Sequence, residues 1–226
     1  MLSVKKIYQF NYIFNLIFKE YFKKKLKFDW STKPRRFDII NKIIKKNNYK
    51  SYLEIGCFDD ETFSKVVGVK KVGVDPVSGG TIRETSDIFF QKNKEKFDLI
   101  FIDGLHEYEQ VKKDIVNSLK FINNNGVILL HDCLPARIRD QMMPRSHEQW
   151  TGNVWKAIVE SRTLEDRDTY TCVADQGIGI IFKRNNRNIL KIDANTFKRL
   201  KFKDYYFHNK EYMNLVEVEK VHDLFK

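Results

Sequence analysis

At 226 residues the chain is long enough for one α/β domain with a full core and terminal extensions, and too short for two full domains. Its 42% hydrophobic and 31% charged residues exclude a disordered chain, and three scattered cysteines (Cys57, Cys133, Cys172) without a Cys-x-x-Cys pair exclude a disulfide scaffold and suit a reducing cytoplasm, the location expected. The net charge of +11 comes with a general richness in Lys, Asn, Ile and Phe and with no nucleic-acid-binding signature, so it reads as background and no nucleic-acid partner is expected.

Residues 1–36 read as an amphipathic helix and linker. The apolar run 7–18 is interrupted by Gln9, Asn11 and Asn15, too short and too polar to span a membrane. No small-residue cleavage site follows it. Asn11, Asn15, Lys19 and Lys23 recur every four residues, as one polar stripe of a helix does, while Phe10, Phe14, Ile17, Phe18 and Phe22 fall on other faces. Such a helix would pack on the domain, form a homodimer contact or make a peripheral membrane contact, and the first two are preferred.

From 37 to 183 short apolar runs alternate with helical patterns, which predicts a mostly parallel sheet with helices on both faces. A helix over 37–46 precedes a strand over 51–55, a helix over 61–67 and a strand over 71–74. An element of undecided type follows at 82–90, then a continuous apolar strand at 99–102. Tyr108, Val111, Ile115, Leu119 and Ile122 repeat at spacings of three and four, one buried helical stripe. The run Asn123-Asn124-Asn125-Gly126 is expected to end that helix in a left-handed cap before a strand at 127–130. Residues 133–152, with Pro135 and Pro144, read as a loop or lid. A helix at 153–161 and strands at 170–173 and 178–182 close the domain. Residues 184–226 form a basic extension ending in a helix over 216–225.

Ligands of open parallel sheets sit beyond the carboxyl ends of the strands. Glu54, Asp75, Asp103 and the pair His131-Asp132 each close one predicted strand, so acidic groups gather along a single sheet edge. Asp75 follows Gly56 at roughly the ~20-residue interval at which a carboxylate meets a ribose diol in dinucleotide folds. Yet no Gly-x-Gly-x-x-Gly is present, and Asp59 and Asp60 follow Gly56 where a pyrophosphate would need glycine and free N–H groups. A ligand carrying a sulfonium and an ammonium suits the site better than a nicotinamide dinucleotide. Asp98 reads as a structural turn residue, and His147 and His222 have no interpretable context.

Tyr52-Leu53-Glu54-Ile55-Gly56, Val74-Asp75-Pro76, Thr85-Ser86-Asp87 and the run from Phe97 to Tyr108 resemble class I methyltransferases that use S-adenosylmethionine, as do His131-Asp132-Cys133 and the stretch from Trp150 to Ala157. The likeness is greatest to a bacterial subgroup that modifies glycans and secondary metabolites. It implies a Rossmann-like α/β fold with a mostly parallel seven-stranded sheet. It also implies that Glu54, Gly56 and Cys57 border the methionine part of the cofactor, that Asp75 holds its ribose, and that Ser86 and Asp87 lie near the adenine. Asp103 is expected at both cofactor and chemistry. His106, whose side chain ordinarily titrates at about 6.5, is the candidate base, with a structural role as the alternative. The spacing from Asp103 to His106 resembles metal-dependent sugar O-methyltransferases and implies a divalent cation, magnesium or another, at Asp103, His131 and Asp132. Histidine at 131 fits poorly with magnesium, which prefers oxygen ligands. Trp150 is a candidate for the acceptor pocket and Trp155 for helix core. The expected reaction is O-methylation of a sugar, glycan or hydroxylated small metabolite. N-methylation of another small molecule, or a binding module without turnover, are the alternatives.

Overall fold

The computed structural model describes residues 3–192 and 196–225. The apolar runs pair into one sheet of seven strands: β1 (Ser51–Ile55), β2 (Lys70–Val74), β3 (Phe97–Ile102), β4 (Ile122–Leu130), β5 (Asp168–Cys172), β6 (Ile178–Phe182) and β7 (Leu215–Val216). Their spatial order is β2-β1-β3-β4-β6-β5-β7. β1, β2, β3 and β4 run parallel, β6 is antiparallel to both β4 and β5, and β7 joins β5 in parallel. This is the mostly parallel, Rossmann-like α/β architecture expected.

Among the described residues six α-helices accompany it: α1 (Val4–Phe18), α2 (Arg36–Asn47), α3 (Ser86–Lys92), α4 (Tyr108–Phe121), α5 (Val154–Arg162) and α6 (Phe202–Met213). Side chains alternate across a strand, so β1 and β3 feed two cores. Leu53, Ile55, Ile100 and Ile102 pack with the buried stripe of α4 and with α5 and α6, whereas Tyr52, Leu99 and Phe101 pack with Ile39, Ile40, Ile43 and Ile44 of α2. Both faces are covered, which is why these strands read as unbroken apolar runs.

Three local expectations are corrected. No helix forms over 61–67: the segment is a set of turns bracketed by Asp60 (φ 62) and Gly68 (φ 77). Asp60 is held there because its carboxylate accepts the Gly80 N–H at 2.7 Å. The asparagine run does not cap α4. Ile122 is already extended (ψ 139) and opens β4, where it pairs with Phe97, and Asn123 donates to the Asp98 carboxylate at 2.7 Å. At the C-terminus, Leu215 and Val216 pair as a strand, and a 3-10 helix occupies Val218–Phe225. The basic extension also holds α6, whose Tyr205 ring lies 4.9 Å from that of the fully buried Trp155.

α1 packs against the protein along one face. Asn15 is buried and donates to the Pro144 carbonyl, Asn11 donates to that of Arg145, and Tyr12 and Leu16 pack on the core, whereas Lys19 and Lys23 of the expected polar stripe are exposed. Arg145 and Arg139 lie over the rings of Tyr8 and Tyr12. No described helix is long and apolar enough to cross a membrane.

Candidate active site

The carboxyl ends of β1, β2, β3 and β4 open into one cleft of about 920 Å³. From β1 the chain goes to β2 on one side, while β3 lies on the other, so the cleft sits where strand order reverses. Gly56 sets its floor. At φ 87 it turns the chain away from β1, and a Cβ there would lie 2.5 Å from the Gly104 Cα. The turns after β1 and β3 therefore touch, which brings Asp103 beside Glu54.

Glu54 is buried and accepts the Tyr52 hydroxyl; loss of hydration pushes its carboxyl up to about 8. Cys57 borders the cleft, but its buried thiol lies toward Gly73 and Phe63, and burial raises its pKa. Asp75 closes β2 with a different task. Oδ1 accepts the Val77 and Ser78 N–H groups at 2.8 and 2.9 Å, and Oδ2 accepts that of Phe58 at 3.0 Å. Burial works against this carboxylate, but the backbone donors prevail and hold it below the usual range. Asp59 lines the cleft, whereas Asp60 is spent on Gly80.

At the far end Ser86 and Asp87 open α3 behind the capping Thr85. Gln110 of α4 donates to Ser86, Asp87 and Asp114. Burial raises the Asp114 carboxyl to about 6. Neither Gln110 nor Asp114 was singled out from the sequence, although both lie one residue from the apolar stripe of α4.

The opposite end holds two histidines among carboxylates. His106 Nε2 lies 3.3 Å from Asp103 Oδ1, and its Nδ1 lies 3.2 Å from Asp132 Oδ2 and donates to the Trp150 carbonyl. The imidazole stacks on the Trp150 ring at 5.7 Å. Burial disfavours its cation, but the Asp103 bond and the Asp132 charge outweigh burial, so its pKa is raised. His131 Nδ1 lies 3.3 Å from Asp103 Oδ1 and 3.5 Å from Asp132 Oδ1. Burial again opposes the charge and the two carboxylates win, raising His131 to about 9. Asp103 moves the other way: the paired histidines overcome burial and keep it ionised.

Asp103, His131 and Asp132 offer ligand atoms that all lie within 4.8 Å of one another. Two features fit them to a cation. His131 Nε2 donates to the Asp175 carbonyl at 2.9 Å, which leaves Nδ1 facing both carboxylates, and Asp132 Oδ1 is buried without a hydrogen-bond partner. One imidazole and two carboxylates suit a transition-metal dication better than magnesium.

Arg36 and Asp175 were missed in the sequence. The Arg36 guanidinium reaches Glu61, Thr62 and Asp175 and comes within 3.6 Å of Asp103 Oδ2. Its position was legible only as the end of a linker. Asp-Gln-Gly at 175–177 was recognisable turn chemistry, but nothing local reveals that its carbonyl meets His131.

Residues 41–133 match the family model described as a methyltransferase domain. Among solved structures, the chain is similar to the SAH-bound methyltransferase PaMTH1 of Podospora anserina (TM-score 0.53, 15% identity, 66% of this chain and 78% of that one). It is also similar to a candidate O-methyltransferase of Klebsiella pneumoniae (TM-score 0.51, 13% identity, 81% and 91%) and to cofactor-bound Rv0187 from MTB (TM-score 0.50, 12% identity, 82% and 100%). At these identities the likeness is one of fold. No curated protein matches the chain in sequence.

Proposed function

We propose that this methyltransferase moves the methyl group of S-adenosylmethionine to a hydroxyl oxygen of a sugar, glycan or hydroxylated small metabolite, with a divalent cation held by Asp103, His131 and Asp132. The observation that carries the reading is the unpartnered Asp132 oxygen inside a three-ligand cluster, in the same cleft as Glu54, Asp75 and Ser86. The cofactor is itself a cation. A cleft lined by Asp59, Asp75, Asp87, Asp103, Asp114 and Asp132 complements its sulfonium and ammonium.

Asp75 Oδ2, with one backbone donor to the two of Oδ1, retains acceptor capacity for a ribose hydroxyl. Ser86, Asp87, Gln110 and Asp114 lie where the adenine would end. Glu54 and Gly56 border the methionine moiety, and Cys57 contributes backbone, its thiol being committed to packing. A bound cation would supply Lewis acidity, lowering the pKa of the acceptor hydroxyl.

The transfer breaks the sulfur–methyl bond and forms a carbon–oxygen bond, and the hydroxyl proton leaves. His106 is the acceptor of that proton: its Nδ1–H donates to the Trp150 carbonyl, and the proton taken up at Nε2 is then held by Asp103 Oδ1. Trp150, stacked on that imidazole, walls the acceptor side. The test is transfer of labelled methyl groups to panels of glycans and hydroxylated metabolites, with and without chelator. The expected result is label on oxygen, lost with chelator and restored by manganese. Label on nitrogen, or transfer indifferent to chelator, rejects the reading.

A further inference from the structure

The outer face of α1 is an apolar surface that the active site does not explain. Val4, Ile7, Phe10, Ile13 and Ile17 recur at steps of three and four, and all are exposed, Phe10 and Ile17 by 68% each. Phe18, Tyr21 and Phe207 of α6 continue the patch at 56–69% exposure. A soluble helix ordinarily buries such a stripe. Here Asn11 and Asn15, with Tyr12 and Leu16, make the inward face, so the stripe from Val4 to Ile17 is left outside.

What covers it follows from charge. Residues 3–28 carry seven lysines (Lys5, Lys6, Lys19, Lys23, Lys24, Lys25, Lys27) and one acid, Glu20. All seven lysines are exposed, and Glu20 is engaged, accepting the Phe202 and Lys203 N–H groups at the start of α6. A second copy docked on this face would set the same lysines against one another. An anionic lipid surface satisfies both properties: the apolar stripe enters the acyl boundary, and the lysines reach up to the headgroups. We infer that α1, with Tyr21 and Phe207 beside it, is a docking surface for an anionic lipid bilayer, lying on the membrane without crossing it.

The full chain is to be sedimented with vesicles of pure phosphatidylcholine and with vesicles containing about a third phosphatidylglycerol. Binding is expected to be about tenfold stronger on the anionic vesicles and to weaken at high salt. Phe10→Ser combined with Ile17→Ser should reduce it by a similar factor while leaving the thermal midpoint unchanged. Equal binding to both vesicles overturns the inference, as does absence of binding, or a dimer that the same two substitutions dissociate.

Discussion

Both oxygens of Asp75 are already engaged by backbone N–H groups, so its side chain organises the loop after β2 as well as facing the cleft. Asp75→Asn should weaken S-adenosylhomocysteine binding by about 10- to 100-fold, the scale of a lost charged hydrogen bond. Calorimetry distinguishes the two tasks: a lower unfolding midpoint with unchanged affinity would remove the ribose assignment. Asp114 offers a test of opposite sign. Its carboxyl is raised to about 6 from an ordinary 3.8, so the folded chain holds that proton where the unfolded chain has lost it. Stability at this position is therefore full below about pH 4, falls as pH rises through 6, and stays lower above. Asp114→Asn removes the cost, and should stabilise the protein at pH 7.5 by about 1–3 kcal/mol and not at pH 4, read by urea unfolding. At this scale the sequence exposes Glu54, Asp75, Asp103, His131 and Asp132, because a residue closing an apolar strand has a known position. It conceals Arg36 and Asp114, which reach the cleft from other elements, and Asp175, whose carbonyl orients His131.

The contact between the turns after β1 and β3 depends on one missing side chain. Gly56→Ala would place a methyl group against the Asp103 carbonyl and Gly104, at a φ that alanine also resists. It should destabilise the fold by about 2–4 kcal/mol and abolish cofactor binding by parting the strand ends, measured by unfolding and calorimetry. Periodicity located most strands to within two residues and the buried stripe of α4, since those signals come from burial. It failed where a local propensity met a tertiary partner. Residues 61–67 carry helical residues yet are cut short by the tie of Asp60 to Gly80, and Asn123 is drawn into β4 by Asp98. With no helix after β1, no helix N-terminus faces the ligand there, which agrees with a cofactor lacking phosphate.

Over the whole molecule, a net charge of +11 conceals two opposed populations. Acidic side chains line the cleft, and lysines crowd the N-terminal segment; composition alone averages them away. Ligand linkage provides the corresponding prediction. Manganese at about 100 times its Kd should stabilise the folded state by about 2.7 kcal/mol, visible as a raised midpoint, and His131→Ala should remove that shift. A midpoint indifferent to manganese in the parent protein would leave the three-ligand cluster without its cation. The extent of the sheet was legible from alternating apolar runs. The contribution of α6 to the core was not, because its buried aromatics are interspersed with lysine, histidine and asparagine.

His131 takes its orientation from a carbonyl 44 residues further along the chain. During synthesis the imidazole therefore leaves the ribosome well before the hairpin that steers it. A nascent chain reaching only to Trp150 would contain every parallel strand from β1 to β4 and both acids of the cluster, yet its histidine would lack the carbonyl that fixes which nitrogen faces those acids. The geometry of the three-ligand cluster is thus completed late, by the antiparallel edge.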